Sequence, residues 1–182
     1  MLLPPLESFG TRIMICGPSN SGKSTLAVAI GGKLGIPAVH LDLLQHLPNT
    51  DWQPRPADEF RALHDAAILA DAWAMDGNYS RLMPQRLARA TGIILLGDHR
   101  WANFARYLRR TLFERSRAGM LEGGRDSLKW TMVRWILVDS PKALIRYRAS
   151  LPKAGLPFVE VRGMGQLRRL YGEWRLERPV RR

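Results

Sequence analysis

A chain of 182 residues can hold one domain with a substantial core, and 46% apolar with 24% charged residues is the balance of a globular protein. A lone cysteine, Cys16, excludes an internal disulfide, and no stretch nears the roughly 18 uninterrupted apolar residues of a membrane span. The net charge of +12 calls for an anionic partner without choosing among nucleotide, nucleic acid and membrane surface.

The N-terminal Met1-Leu2-Leu3-Pro4-Pro5-Leu6-Glu7 lacks the basic start and long apolar core of a secretion signal, so a cytoplasmic chain is expected. Residues 1–11 read as a lead-in, extended at Pro4-Pro5. Arg12–Cys16 is an apolar strand. It runs into Gly17-Pro18-Ser19-Asn20-Ser21-Gly22-Lys23-Ser24, then Thr25 and the helical Leu26-Ala27-Val28-Ala29-Ile30. Gly-x-x-x-x-Gly-Lys-Ser between a strand and a helix is a phosphate-binding pattern. The chain curls so that successive backbone N–H groups point inward at an anion. Gly17 and Gly22 tolerate the positive φ this needs and let a phosphate approach, and the helix N-terminus adds free N–H groups and partial positive charge. Lys23 would reach the β- and γ-phosphates, and the Ser24 hydroxyl would hold a magnesium ion.

That first helix should start near Gly22 and stop at Leu34, with Gly35 as a left-handed cap and Pro37 beyond it. Gly31-Gly32 weaken it by roughly 1 kcal/mol each relative to Ala, which a close backbone contact would explain. Ala38–Asp42 is a short strand ending in a carboxylate, and 43–57 is loop-like, with Pro48, Pro54 and Pro56 as breakers. Asp58 can cap a helix over Glu59–Leu69. Trp73–Met75 is a third strand ending in Asp76, and Gly92–Leu96 a fourth, nearly all apolar as a central parallel strand should be. A basic helix covers about Trp101–Arg117. Gly119, Gly123 and Gly124 then make a flexible segment, followed by a helix over Ser127–Val138 and another starting at Ser140-Pro141 and reaching about Arg148. Leu156–Val161 is a last strand, followed by Arg162-Gly163-Met164-Gly165 and a terminal helix.

Strands alternating with helices predict an α/β fold, a parallel sheet covered on both faces, in one domain of residues 1–182. In such sheets ligands sit beyond the carboxyl ends of the strands, where the phosphate loop, Asp42, Asp76 and Arg162 would converge.

These residues resemble the adenylate-kinase-like P-loop kinases. The match rests on the phosphate loop, His40-Leu41-Asp42, Met75-Asp76-Gly77-Asn78-Tyr79 and the arginine-rich helix. Within that group they are most similar to the branch labelled DNA topology modulation or flagellar regulation proteins. That branch shows a Leu-Asp pair after strand 2, a Trp in the next loop (here Trp52) and an Asp-Gly-Asn-Tyr turn. The resemblance implies the nucleoside monophosphate kinase type of P-loop NTPase fold: five parallel strands and a lid, at about 115–126 here. It implies ATP as donor, with magnesium. The nucleotide would lie on Gly17, Pro18, Ser19, Asn20, Ser21, Gly22, Lys23, Ser24 and Thr25, with Gly163 near the adenine. Asp76 would help Ser24 hold the metal. Lys23, Asp42, Asp76, Arg106, Arg109 and Arg110 would form the catalytic set, Asp42 facing the acceptor and the three arginines in the lid-arginine region. The chain departs from relatives after strand 4, where Leu95-Leu96-Gly97-Asp98 replaces Leu-Asp, and at His46, where an aromatic is common.

Each residue also has a plainer reading. Asp76 could be a turn former before Gly77, Asp42 a base, a substrate ligand or a helix cap, and the arginines a solvated face. Tyr79 and Trp52 could stack on a base or sugar, or pack at the cleft edge. His40, His46, His64 and His99 lack zinc-ligand spacing, and Cys16 should be buried and inert. The leading expectation is a phosphotransferase acting on a nucleoside monophosphate or another small hydroxylated or phosphorylated acceptor. A nucleotide-dependent nucleic-acid-binding or regulatory protein, or a degenerate kinase that binds ATP and turns over poorly, are the alternatives; a membrane partner is not expected.

Overall fold

The structure is a computed structural model that describes residues 3–113 and 130–179, with Arg110 and Phe113 described by their backbone alone. Strands β1 (Arg12–Cys16), β2 (Ala38–His40), β3 (Trp73–Asp76), β4 (Gly92–Gly97) and β5 (Phe158–Arg162) form one sheet in the order β2-β3-β1-β4-β5, every pairing parallel. The register sets Asp76 opposite both Ile15 and His40, and Gly97 opposite Arg162. The carboxyl ends of all five strands therefore line one edge.

Side chains alternate across β1, so Ile13 and Ile15 enter one core and Met14 and Cys16 the other. On the first face, α1 (Lys23–Leu34) and α8 (Gly163–Glu173) bring Leu26, Ile30, Leu167 and Leu170 onto Ile13, Ile15 and Ile94. On the second, α2 (Leu41–Gln45), α3 (Ala57–Leu69), α4 (Met83–Arg89) and α7 (Ser140–Ser150) bring Leu41, Ile68, Met83 and Leu144 onto Met14, Met75 and Leu95. Each such side chain contributes roughly 1.5–3 kcal/mol by leaving water, which is why both faces must be covered. Among the described residues no helix is long and apolar enough to cross a membrane.

Several boundaries differ from expectation. The lead-in folds as a 3-10 turn, Leu6–Phe9, because Leu6 and Phe9 are buried in the first core. Phe9 also explains Gly92, where a Cβ would lie 2.6 Å from the Phe9 Cβ. β2 stops at His40, so Asp42 stands in the first turn of a helix and not at a strand end. Asp58 is not a cap: α3 starts at Ala57 after Pro56, and the Asp58 carboxylate lies inside the first turn, where it still suits the helix dipole. α4, with Pro84 in its first turn, had no counterpart in the sequence reading.

Gly31 has the close contact that its position implied, since a Cβ would lie 2.7 Å from Ile36 O; Gly32 has none. Helix α5 covers Arg100–Phe113. The expected lid at 115–126 and the start of the helix at Ser127 lie outside the described residues. Pro141 does not begin a new helix. Helix α6 (Trp130–Arg134), a π segment (Trp135–Asp139) and α7 run on without leaving helical φ/ψ. The wide π turn accommodates a proline ring that an ordinary helical turn would reject.

Candidate active site

The chain leaves β1 at Cys16 and turns at once. Gly17 has φ +141°, and a Cβ there would lie 2.2 Å from Leu96 O of the neighbouring strand, so only glycine fits. Gly22, at φ +93°, precedes α1 as its left-handed N-cap, and its carbonyl accepts the first helical bond from Leu26 N at 2.9 Å. Between them the loop closes on itself: Ser21 Oγ and Lys23 Nζ both donate to Pro18 O at 2.8 Å. The result is a ring of backbone at a helix N-terminus with an ammonium group across its mouth, a chemistry suited to polyphosphate.

Asp76 ends β3 beside this ring and is 4% exposed. Its Oδ2 accepts from Ser24 Oγ at 2.6 Å, and its Oδ1 lies 2.5 Å from His40 Nδ1. With the carboxylate ionised, that ring nitrogen is the donor. The Ser24 hydroxyl and Asp76 carboxylate are hard oxygen donors at the first turn after the loop. That set fits magnesium, which binds through one or two protein oxygens and completes its shell with water and phosphate. Among the described residues no group of three or more His, Cys, Asp or Glu converges to make an all-protein metal cage.

The segment after Asp76 doubles back under the ring. Asn78 Oδ1 accepts from Gly17 N at 3.1 Å, and Asn78 Nδ2 donates to Gly17 O at 2.9 Å. Tyr79 has φ +29°, and its Oη donates to Asp42 Oδ1 at 2.6 Å. Burial first, then the Asp42 charge, raises the Tyr79 phenol far above its ordinary value, so it stays a donor. Its ring lies 4.9 Å from that of Phe60. Asp42 is otherwise exposed, and its backbone carbonyl is 2.9 Å from His46 Nδ1. His46 meets Trp52 edge-on at 5.3 Å, which gives Trp52 a packing role at the rim. Burial pushes the Cys16 thiol up, so that side chain is inert as expected.

On the far side of the ring, Arg106 Nε donates to Asn20 O at 2.8 Å, and its Nη2 reaches Asp98 and Asn103. Asp98 Oδ1 also accepts from His99 N at 2.7 Å at the start of α5. A Cβ on Gly97 would meet Arg148 Nη2 at 3.0 Å and Glu160 Oε1 at 3.2 Å. Gly97, the last residue of β4, thus lies against the Arg148–Glu160 ion pair, which a Cβ there would crowd. Glu160 also takes Arg162 Nη2 at 2.9 Å. Burial alone would raise the Glu160 carboxyl, but its two arginines win and hold it below its ordinary value. A cavity of about 210 Å³ opens here, bordered by Pro18, Asp98, Asn103, Leu144 and Arg148.

The whole-chain comparison fits this geometry. The structure is similar to that of a gluconokinase from Sinorhizobium meliloti 1021, with a TM-score of 0.55 at 16% identity, over 91% of this chain and 90% of that one. The two chains share their fold, which in this chain is the five-stranded parallel sheet with helices on both faces. The chain matches no protein-family model and no curated protein.

Within that fold the cradle residues Gly17 to Thr25, with Asp76, lie together at the ends of β1 and β3. Asp42 reaches the same turn through Tyr79, from a helix and not from a strand end. Arg106 sits against the cradle, whereas Arg109 is exposed on α5 and the side chain of Arg110 is outside the described residues. Gly163 has φ +73°, and a Cβ on it would lie 3.7 Å from Asp98 Oδ1. Arg162 is exposed and held by Glu160. Asn78 and His40 bear on the site, although the sequence alone assigned neither a role in it; Asp98, weighed there as a carboxylate displaced by one residue, instead holds Arg106. The available signals were the Asp-Gly-Asn-Tyr turn for Asn78 and the His40-Leu41-Asp42 motif for His40.

Proposed function

We propose that this protein is a small-molecule kinase that moves the γ-phosphoryl group of ATP to a hydroxyl of its acceptor. The observation that carries the reading is the 2.6 Å contact between Ser24 and the buried Asp76 beside a loop crossed by Lys23. Phosphoryl transfer needs alignment and charge neutralisation more than covalent chemistry, and these groups supply both. Backbone amides of the loop would bind the β- and γ-phosphates, with Lys23 across them. Ser24 and Asp76 would hold magnesium, which when bound neutralises charge building on the phosphate oxygens. Arg106 fixes the loop through Asn20 and belongs to the positioning set; Arg109 and Arg110 are the cations assigned to the transferring group. Gly163 would border the adenine.

Asp42 supports a hydroxyl acceptor. Tyr79 occupies one of its oxygens, and its exposure leaves the other open to a substrate. In the step, the acceptor oxygen bonds to γ-phosphorus, the bond to the β–γ bridging oxygen breaks, and the hydroxyl proton passes to Asp42. ADP leaves with the electron pair. The likeness to a gluconokinase supports a small-molecule acceptor over a macromolecular one. The reading places the protein in the cytoplasm, where ATP is held.

The test is transfer of label from γ-labelled ATP across nucleoside monophosphates and small polyhydroxylated acids and sugars. A labelled hydroxyl acceptor is expected; ATP hydrolysis with no acceptor labelled anywhere on the panel would contradict it. Exposed Trp101 on the arginine-rich α5 and exposed Trp130 on α6 favour a second reading, a nucleic-acid partner. A flat binding isotherm at about 50–100 mM salt, where such contacts are strong, removes it.

A further inference from the structure

Arg86, on α4, is 0% exposed, yet no carboxylate among the described residues pairs with it. A buried cation without a counter-ion is costly, and such a group persists only where its hydrogen bonds are specific. Its guanidinium donates to three successive carbonyls: Nη1 to Gly77 O at 2.8 Å, Nη2 to Asn78 O, and Nη2 to Tyr79 O at 3.2 Å. Those three residues form the turn after Asp76, and two of them have backbones in the left-handed region, Gly77 at φ +132° and Tyr79 at φ +29°. A turn with this geometry does not hold itself; Arg86 staples it from below.

What the staple holds is the donor cradle. The last backbone bond between β3 and β1 is Gly77 N to Ile15 O at 3.3 Å. Beyond it the two chains part, and the Asn78 side chain takes over the pairing by bonding both the N–H and the C=O of Gly17. An amide group copies a peptide here, donor to acceptor and acceptor to donor. It ties down both peptide groups that flank Gly17, at the entry to the phosphate loop, and so the direction in which the amides beyond Pro18 face.

We propose that Asn78 is a positioning residue for the nucleotide phosphates, and that Arg86 acts through it by fixing the turn that carries it. The inference rests on the nucleotide reading above and adds a device that sets the cradle's orientation from outside its own motif. No other side-chain amide among the described hydrogen bonds engages the Gly17 N–H or C=O.

The test is calorimetric titration of MgATP into full-length wild type, Asn78→Ala, Asn78→Asp, Arg86→Gln and the Asn78→Ala/Arg86→Gln double variant, with melting curves for each. Asn78→Ala should bind about tenfold more weakly, because a loop no longer held at Gly17 must be ordered as the nucleotide binds. Asn78→Asp should bind more weakly still, near a hundredfold, because it cannot donate to Gly17 O and places negative charge by the triphosphate. Both should stay folded with a modest loss of melting temperature, since Gly17 loses a partner in each, and affinity read on folded protein separates positioning from folding. Arg86→Gln should weaken binding alone and add nothing to Asn78→Ala.

Wild-type affinity in a folded Asn78→Ala variant overturns the inference, and additive losses in the double variant overturn the part assigned to Arg86. If Arg86→Gln does not fold, Arg86→Lys replaces it. If neither folds, the order wild type, Ala, Asp at position 78 decides. A wild type that binds no MgATP fails the kinase reading itself, a different result from wild-type binding that Asn78→Ala leaves unchanged.

Discussion

The two sides of the cleft are built on different principles. The proposed donor side is one contiguous stretch, Gly17 to Thr25, whose chemistry is mostly backbone. The proposed acceptor side would be assembled from side chains on separate elements: Asp42 on α2, Tyr79 after β3 and the His46–Trp52 pair in the loop before α3. Backbone recognition of an anion needs fixed local geometry, so the same short pattern recurs wherever it is used. Side-chain recognition of an acceptor needs only that a few groups meet in space, and sequence spacing records that poorly.

The largest test of this contrast falls on the donor side. Gly17→Ala forces a methyl against Leu96 O, in backbone and not in a flexible side chain. It should cost at least about 3 kcal/mol in chemical unfolding and abolish nucleotide binding. A folded Gly17→Ala protein that binds ATP would show that the ring tolerates more than its geometry indicates.

Asp76→Asn comes next. It removes charge from the Ser24 contact while keeping size, so turnover should fall about 10³-fold with ATP affinity nearly unchanged. A parallel fall in affinity would instead make Asp76 a ground-state ligand. On the acceptor side, Asp42→Asn should slow transfer about 10²-fold, again without changing ATP affinity, and Tyr79→Phe should cost less than tenfold. Equal effects of Asp42→Asn on ATP binding and on transfer would erase the distinction between the two sides.

The smallest effect concerns stability. Burial holds the His64 imidazole below its ordinary value of 6.5, against the pull of Asp65. The unfolded chain then binds a proton that the folded chain refuses. His64 therefore stabilises fully above about pH 6.5, and its contribution is lost as pH falls below that, with a slope of at most about 1.4 kcal/mol per unit. His64→Leu should flatten unfolding free energy against pH in that window; an unchanged slope would assign it to other groups.

The sequence shows the sheet and the cradle well because both depend on local pattern: β1 and the end of α1 at Leu34–Gly35 fall where the apolar run and the left-handed glycine predict. It shows the supports badly. Nothing in the sequence singles out Arg86 among the arginines of a basic chain, and only the fold buries it under Gly77. His40 reads as a strand end, although the register that sets it opposite Asp76 makes it that carboxylate's partner. Asp42 shifts from strand to helix because Leu41 turns inward to fill the second core. Gly97 marks the departure from Leu-Asp in the sequence, and only the fold sets it against Arg148 and Glu160.

The most direct measurement is titration of ATP into wild type and Lys23→Ala, with magnesium and with EDTA. One saturable site that weakens sharply with EDTA and vanishes in Lys23→Ala is the predicted result. Heat that never saturates, or a site indifferent to both magnesium and Lys23, would contradict the account.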